Sequence, residues 1–296
     1  MKMRIFRKYL EKPAILLFFL CALTAVMSLG LIAVYILMTG FPAIRATGLA
    51  AFLFGTQWQP GAEIFGILPM IIASLAVTFG AILIGIPMGL LTAAYLAKVA
   101  PAWISRILRP MIQLLAGIPS VVFGFFGLMV VVPLIDRIWG GGGNSLLAAV
   151  LILSVMILPT IVSLSETAIR AVPGEYNEGS LALGASDMQT LFRVTIPAAR
   201  SGILAGIVLG MGRAIGETMA VILVAGNTVQ IPDSLLDRVR TLTANCAIEM
   251  GYAFGLHRQA LFATGIILFV FILLLNLAAA CLVKRFSGSV GGAGGK

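Results

Sequence analysis

The sequence predicts an all-α integral membrane protein with six transmembrane helices, and three observations carry that reading. Of its 296 residues, 60% are apolar and only 10% charged, with a mean hydropathy of +1.09. Soluble domains run at roughly 45–50% apolar and about 25% charged. Marking every charge leaves apolar runs of the length that a bilayer core of about 30 Å requires, about 20 helical residues each. The basic residues lie in short segments between those runs, which is how a multi-spanning chain distributes them. The excess of 20 basic over 11 acidic residues, +9, therefore argues for neither nucleic acid nor a soluble basic face. A water-soluble enzyme is excluded.

The elements follow in order. Residues 1–12 form a basic amino terminus that precedes the first uncharged run, 13–38. That run far exceeds the roughly 7–15 apolar residues of a cleaved signal peptide, so it is read as an uncleaved first helix. Residues 64–97 carry no charge between Glu63 and Lys98. They predict one crossing near 69–96, preceded by an interfacial piece containing Pro69. A third span is expected over 110–135, a fourth over 145–165, a fifth over 201–225 and a sixth over 259–283. Spans two to six make a five-helix core, 64–283, with a long inner loop at 166–200. The glycine- and serine-rich tail, 284–296, is expected to be flexible.

With the amino terminus inside, fourteen Lys and Arg fall in inner segments, against five in outer ones: Arg45, Arg137, Arg238, Arg240 and Arg258. The positive-inside rule is satisfied and both termini are cytoplasmic. Such a chain sits among lipids in a plasma membrane. Cys21, Cys246 and Cys281 form no C-x-x-C pair, and His257 is the sole histidine; neither a disulfide framework nor a metal site is suggested, and no cofactor is expected. Pro87, Pro119 and Pro159 interrupt three spans. They mark kinks beside a pathway or simply shape the packing.

Two places break the pattern. In the inner loop, Pro173 and Gly174 end the fourth span and a helix-compatible run, Glu175 to Leu183, stops at Gly184. Ser186 then reads as the N-cap of a second short helix, Asp187 to Val194, ending before Pro197. Two short helices around a glycine turn form either a docking surface for a cytoplasmic partner or a local cap on the bundle. The second break is in the fifth span, where Arg213 and Glu217 stand four apart. That spacing puts them on one helix face with Gly202, Gly206 and Ala220, where they are expected to pair. A charged group at a helix centre costs about 2.5–3.5 kcal/mol on insertion scales. The pair either fixes packing or lines a substrate path.

These residues resemble a known family. Glu178, Gly184 six residues on and Val194-Thr195-Ile196-Pro197 resemble the E-A-A-x(3)-G-x(9)-I-x-L-P signature of ATP-binding-cassette (ABC) type I importer permeases. Gly179 and Ser180 replace the two alanines, and Val194 and Ile196 replace the isoleucine and leucine. The stretch Gly212-Arg213-Ala214-Ile215-Gly216-Glu217-Thr218-Met219-Ala220-Val221 looks like the corresponding span of phosphate-specific (Pst-type) importer permeases, closer to the PstC partner than to PstA. Leu115-Ala116-Gly117-Ile118-Pro119-Ser120-Val121-Val122-Phe123-Gly124 resembles their third-span motif. The likeness runs from about residue 64 to the end of the last span.

The resemblance implies a permease subunit of an ATP-driven phosphate importer in a bacterial inner membrane. It implies Arg213, Glu217 and Thr218 in the substrate pathway, and Glu178, Gly184, Ile196 and Pro197 in the contact with an ATPase. The implied partners are a second homologous permease subunit, two ATPase subunits, a periplasmic phosphate-binding protein and inorganic phosphate. Chemistry agrees: an Arg fork matches a tetrahedral oxyanion, and a nearby carboxylate repels sulfate but can accept the proton of monohydrogen phosphate. None of the lysines is followed by Ser or Thr, so there is no Walker A loop; the chain is not expected to be an enzyme, and ATP hydrolysis belongs on another chain. The rivals are a permease for another oxyanion (molybdate or sulfate), an ion-coupled secondary transporter, and an intramembrane enzyme, for which no nucleophile–base pair is seen.

Overall fold

The computed structural model describes residues 2–287. Helix α1 (Lys2–Thr47) is apolar on all sides from residue 13 to 44, so no stripe directs it into the bundle, and it packs chiefly along α14 (Gly255–Ser287). Gly40 allows the two backbones to meet, since a Cβ there would lie 2.6 Å from the Ala263 nitrogen. The predicted first span, 13–38, is the inner part of this longer helix. The short α2 (Leu49–Phe54) leads into a two-stranded hairpin, β1 (Trp58–Gln59) and β2 (Ile64–Phe65), with Trp58 opposite Phe65.

Helix α3 (Leu68–Ala94) starts with Pro69 in its first turn, where a missing N–H costs nothing. Pro69 thus begins the crossing instead of lying in a separate interfacial piece. A wide turn, Tyr95–Val99, closes it. Next come α4 (Ala102–Gly117), α5 (Ser120–Phe126), a second wide turn and α6 (Val132–Trp139). The third span is therefore 120–139, not 110–135. The reason is chemical: α4 carries Arg106, Arg109 and Gln113 on one side, and Pro119 breaks the chain before α5.

Helix α7 (Leu146–Arg170) is the centre of the bundle, capped by Ser145, whose hydroxyl accepts from the Ala148 N–H at 3.2 Å. It is flanked by α3 and by α11 (Arg200–Gly216). Both neighbours approach through small residues. A Cβ on Gly85 or Gly89 of α3 would meet Ile157 or Ile161 at 2.7 Å, and one on Gly202 of α11 would meet Ala168 at 2.4 Å. Close backbone approach through small residues is how membrane helices gain packing where lipid removes the hydrophobic driving force.

Between α7 and α11 lie α8 (Gly174–Ala182), α9 (Asp187–Thr190), a wide turn at Leu191–Thr195 and α10 (Ile196–Ala198). The second inner helix was expected to stop before Pro197, but the path continues helically to Ala198. The wide turn relaxes the hydrogen-bond register that a proline would otherwise break. After α11 come α12 (Met219–Val224), a loop, α13 (Leu242–Glu249) and α14. Among the described residues five helices are long and apolar enough to cross a membrane. The segment before α11, bent 70° to it, makes a sixth when the two count together. The expected count of six is reached only through that broken span. Residues 284–287 complete α14; the rest of the tail expected to be flexible lies outside the described residues.

Candidate functional site: a pair of broken spans

The fifth span, expected to be continuous over 201–225, is interrupted. Helix α11 ends at Gly216, Glu217 is extended (φ −68°, ψ 131°), and α12 restarts at Met219. The face shared by Arg213 and Glu217 on an ideal helix therefore does not exist. Among the described residues no ion pair joins them. The Glu217 carboxylate turns to its own chain, where Oε1 accepts from the Ala220 N–H at 3.1 Å. Its backbone carbonyl accepts from the Thr243 hydroxyl at 2.9 Å, and the Thr218 hydroxyl donates to the Gly216 carbonyl at 3.2 Å. Three polar side chains thus satisfy backbone groups that a broken helix frees.

Arg213 is left half-buried on the last turn of α11, with neither hydrogen bond nor ion pair among the described residues. It stands thirteen residues from Arg200, which is about 20 Å along a helix. A guanidinium has five N–H donors to place.

The third span, 120–139, begins at a second break packed beside this one. Helix α4 ends at Gly117, Ile118 and Pro119 are extended, and α5 restarts at Ser120. The restarted halves, α5 and α12, pack on each other: a Cβ on Gly124 would lie 2.8 Å from the Ala220 Cα. Ile118, Phe123, Ala214 and Ala220 share one apolar core. The two stretches singled out in the sequence, 115–124 and 212–221, are thus neighbours. Discontinuous membrane helices bring backbone polar groups and charges to mid-membrane depth, which is where transported ligands are held.

The inner loop forms a separate knob. Glu178 is in α8, Gly184 turns the chain with φ +86°, and Ile196 and Pro197 are in α10. Ser186 and Gln189 make a reciprocal capping box, with the Gln189 Oε1 accepting from the Ser186 N–H at 3.0 Å. The knob is braced internally by Ser180 to Thr190 at 2.9 Å and by the Thr195 hydroxyl donating to Asn177 Oδ1 at 2.7 Å. Ser180, one of the departures from the E-A-A signature, therefore has work of its own. Leu183 is 91% exposed, and Tyr176, Met188 and Phe192 are also exposed. The braced helical pair thus carries an exposed apolar rim.

Sequence reasoning missed a densely bonded charge on the outer side. Glu249, buried at the end of α13, accepts from Arg240 at 2.6 Å, from the Trp58 indole at 2.8 Å, and meets His257 Nε2 at 2.8 Å. Arg240 also donates to the Asn227 carbonyl at 2.8 Å. This cluster clasps the hairpin, the 226–241 loop, α13 and α14 together on the outer side. Its only signal was an acidic residue in an apolar stretch, eight positions before the sole histidine. Nearby, burial pushes the Cys246 thiol up to about 12, and the Glu249 carboxylate adds to the shift. No group of residues that could hold a metal ion occurs among the described residues.

Comparison with known proteins gives this geometry its context. Residues 85–288 match the family described as "Binding-protein-dependent transport system inner membrane component". A "Probable ABC transporter permease protein YqgH" from Bacillus subtilis is 41% identical over 86% of each chain. A "Phosphate transport system permease protein PstC" from Xylella fastidiosa is 33% identical over 93% of this chain and 92% of the relative. Among solved structures, the MetNI methionine ABC transporter in an inward-facing conformation aligns with a TM-score of 0.60, covering 78% of this chain and 99% of the other at 21% identity. A bacterial ABC transporter that imports alginate aligns at 0.56, covering 89% and 95% at 18% identity. At such identities these likenesses speak for the fold alone. Motif, bundle and relatives agree, and the chain belongs to the family of binding-protein-dependent transport system inner membrane components.

Proposed function

We propose that this chain is a PstC-like permease subunit of an ATP-driven phosphate importer, a multi-pass protein of a bacterial inner membrane. The observation that carries the proposal is Arg213: an uncompensated guanidinium at membrane depth, one residue turn from a break in its own helix. Its planar fork suits two oxygens of a phosphate. Glu217 supplies the discrimination. Its Oε1 is engaged by the Ala220 N–H, which leaves Oε2 to accept the remaining proton of monohydrogen phosphate and to repel sulfate. Thr218 follows Glu217 at the break, its hydroxyl donating to the Gly216 carbonyl, and belongs to the same proposed site. The PstC names of several relatives support the choice of substrate.

The knob formed by Glu178, Gly184, Ile196 and Pro197 is the proposed seat of a separate ATPase subunit. Nucleotide-driven movement of that subunit would reach the pathway through α10 and α11, which directly join the knob to Arg213. A second homologous permease subunit, an ATPase dimer and a periplasmic phosphate-binding protein complete the assembly. The test is uptake of labelled phosphate by proteoliposomes holding the assembled complex and its binding protein, with sulfate and molybdate as competitors. ATP-dependent phosphate uptake that resists excess sulfate is expected. Preferred uptake of molybdate or sulfate would replace the substrate, and uptake without the ATPase would replace the class.

A further inference from the structure

A second cationic site lies at the other end of the bundle, far from Arg213 and unused by the pathway. Where the wide turn after α3, the first half of α4 and the last turns of α7 meet, they line two adjoining open clefts of about 520 and 210 Å³. Arg109 and Arg170 line both. Lys98, Ser105 and Arg106 line the larger, and Glu166 lines the smaller. This is the end that holds the basic segments, the cytoplasmic end by the positive-inside rule.

The charges there do not balance. Glu166 is 11% exposed, and its Oε1 accepts from Arg109 Nε at 2.6 Å and from Arg170 Nε at 2.9 Å. Both guanidiniums also donate to the Leu96 carbonyl, at 3.4 and 2.7 Å. One carboxylate and one carbonyl therefore hold two arginine forks side by side. Each guanidinium has five N–H donors, so further donors remain on both. Lys98 and Arg106 make no ion pair among the described residues. Four cations around one carboxylate leave a local excess of positive charge.

The neighbouring surface narrows the anion. Helix α4 exposes Trp103, Ile107, Met111 and Leu114, spaced three to four residues apart, along the face turned away from Arg109. An apolar stripe with tryptophan at one end, on a helix whose other side lines a basic cleft, is the arrangement of a helix lying at a bilayer interface. Basic clefts between membrane helices on the cytoplasmic side take anionic headgroups, and paired arginine forks match phosphate oxygens. We propose that this cleft binds a phosphate group bearing an ionised oxygen, carried by an anionic phospholipid of the inner leaflet. Free inorganic phosphate is the other source of the same chemistry.

The test uses the full chain in nanodiscs of phosphatidylcholine doped with phosphatidylglycerol, with retained lipid measured by native mass spectrometry. Lys98→Gln with Arg106→Gln removes the two unpaired cations and spares the Glu166 clamp. The unaltered chain should retain phosphatidylglycerol over phosphatidylcholine, and the double variant should lose about tenfold or more of that preference, given the attraction each cation contributes near an anionic surface. In a second arm, inorganic phosphate is added to discs of phosphatidylcholine alone. Phosphate binding that the double variant loses would assign the site to the free anion. Raising the salt on the unaltered chain repeats the first arm without any substitution, since screening should weaken the same preference. Equal retention of phosphatidylglycerol, and equal phosphate binding, by both proteins would overturn the site. These readouts do not depend on transport, so they stand apart from the reading of Arg213.

Discussion

Glu249 and Glu217 are both acidic residues set in apolar sequence, with an arginine within nine positions of each, yet the fold treats them oppositely. Glu249 is surrounded by Arg240, Trp58 and His257. Glu217 gives one oxygen to a backbone N–H and leaves Arg213 alone. A buried charge whose partners are all within the chain is spoken for. A charge the chain declines to pair sits at a depth where leaving it unpaired is costly. We therefore read the outer clasp as architecture and propose the broken span as the place for a ligand.

The sharpest way to break this contrast is to remove each acid or base and separate stability from transport. Glu249→Ala strips Arg240 and His257 of their common acceptor, and removing one partner of a buried pair costs about 3–5 kcal/mol. We expect a large fall in the thermal midpoint of the purified protein. Cys246 provides a second readout. With its pKa held at about 12, the thiol is protonated at neutral pH and inert to maleimide, and it should become reactive once the clasp opens. An unchanged midpoint together with an unreactive Cys246 would show that the clasp contributes little.

The knob lies between these extremes. A β-branched residue at Gly184, where φ is +86°, strains the backbone by about 1–2 kcal/mol. Because nothing packs within 4 Å of that position, the bundle itself should remain stable. Gly184→Val is expected to weaken ATPase binding, or to leave hydrolysis uncoupled from transport, with membrane insertion intact. Normal phosphate-driven hydrolysis and uptake by an assembled Gly184→Val complex would count against the knob as the contact. The smallest effect belongs to Ser180→Ala, which removes one part-buried hydrogen bond to Thr190 and should cost about 0.5–1.5 kcal/mol. It should soften ATPase affinity slightly, as measured by titration, and leave phosphate specificity alone.

Much of this was legible in the sequence, and the failures share a cause. Charge marking found the spans because a bilayer excludes charge over a fixed length, so α3, α7 and α14 emerge close to their predicted positions. The glycine turn at Gly184 and the Ser186 cap were readable because both are local backbone chemistry. Continuity was not. Periodicity places Arg213 and Glu217 on one face only if the helix runs on, and nothing in Gly216-Glu217-Thr218 announces that it stops. The third span was set ten residues too early for a similar reason: α4 is apolar enough to imitate a crossing although its arginines serve a cleft. The Glu249 clasp joins residues separated by up to 191 positions, a distance over which no local pattern operates.

The central claim is that Arg213 is a ligand fork and not half of a structural pair. It is tested most directly by phosphate uptake in proteoliposomes holding the assembled complex, with Arg213→Ala and Arg213→Lys compared at matched protein levels. Since no partner within the chain is lost, both variants should assemble with thermal midpoints near that of the unaltered protein. Both should lose most uptake, Arg213→Lys included, because an ammonium does not reproduce a planar, two-pronged contact. Near-normal phosphate uptake by Arg213→Ala, in a complex that assembles normally, would contradict the account.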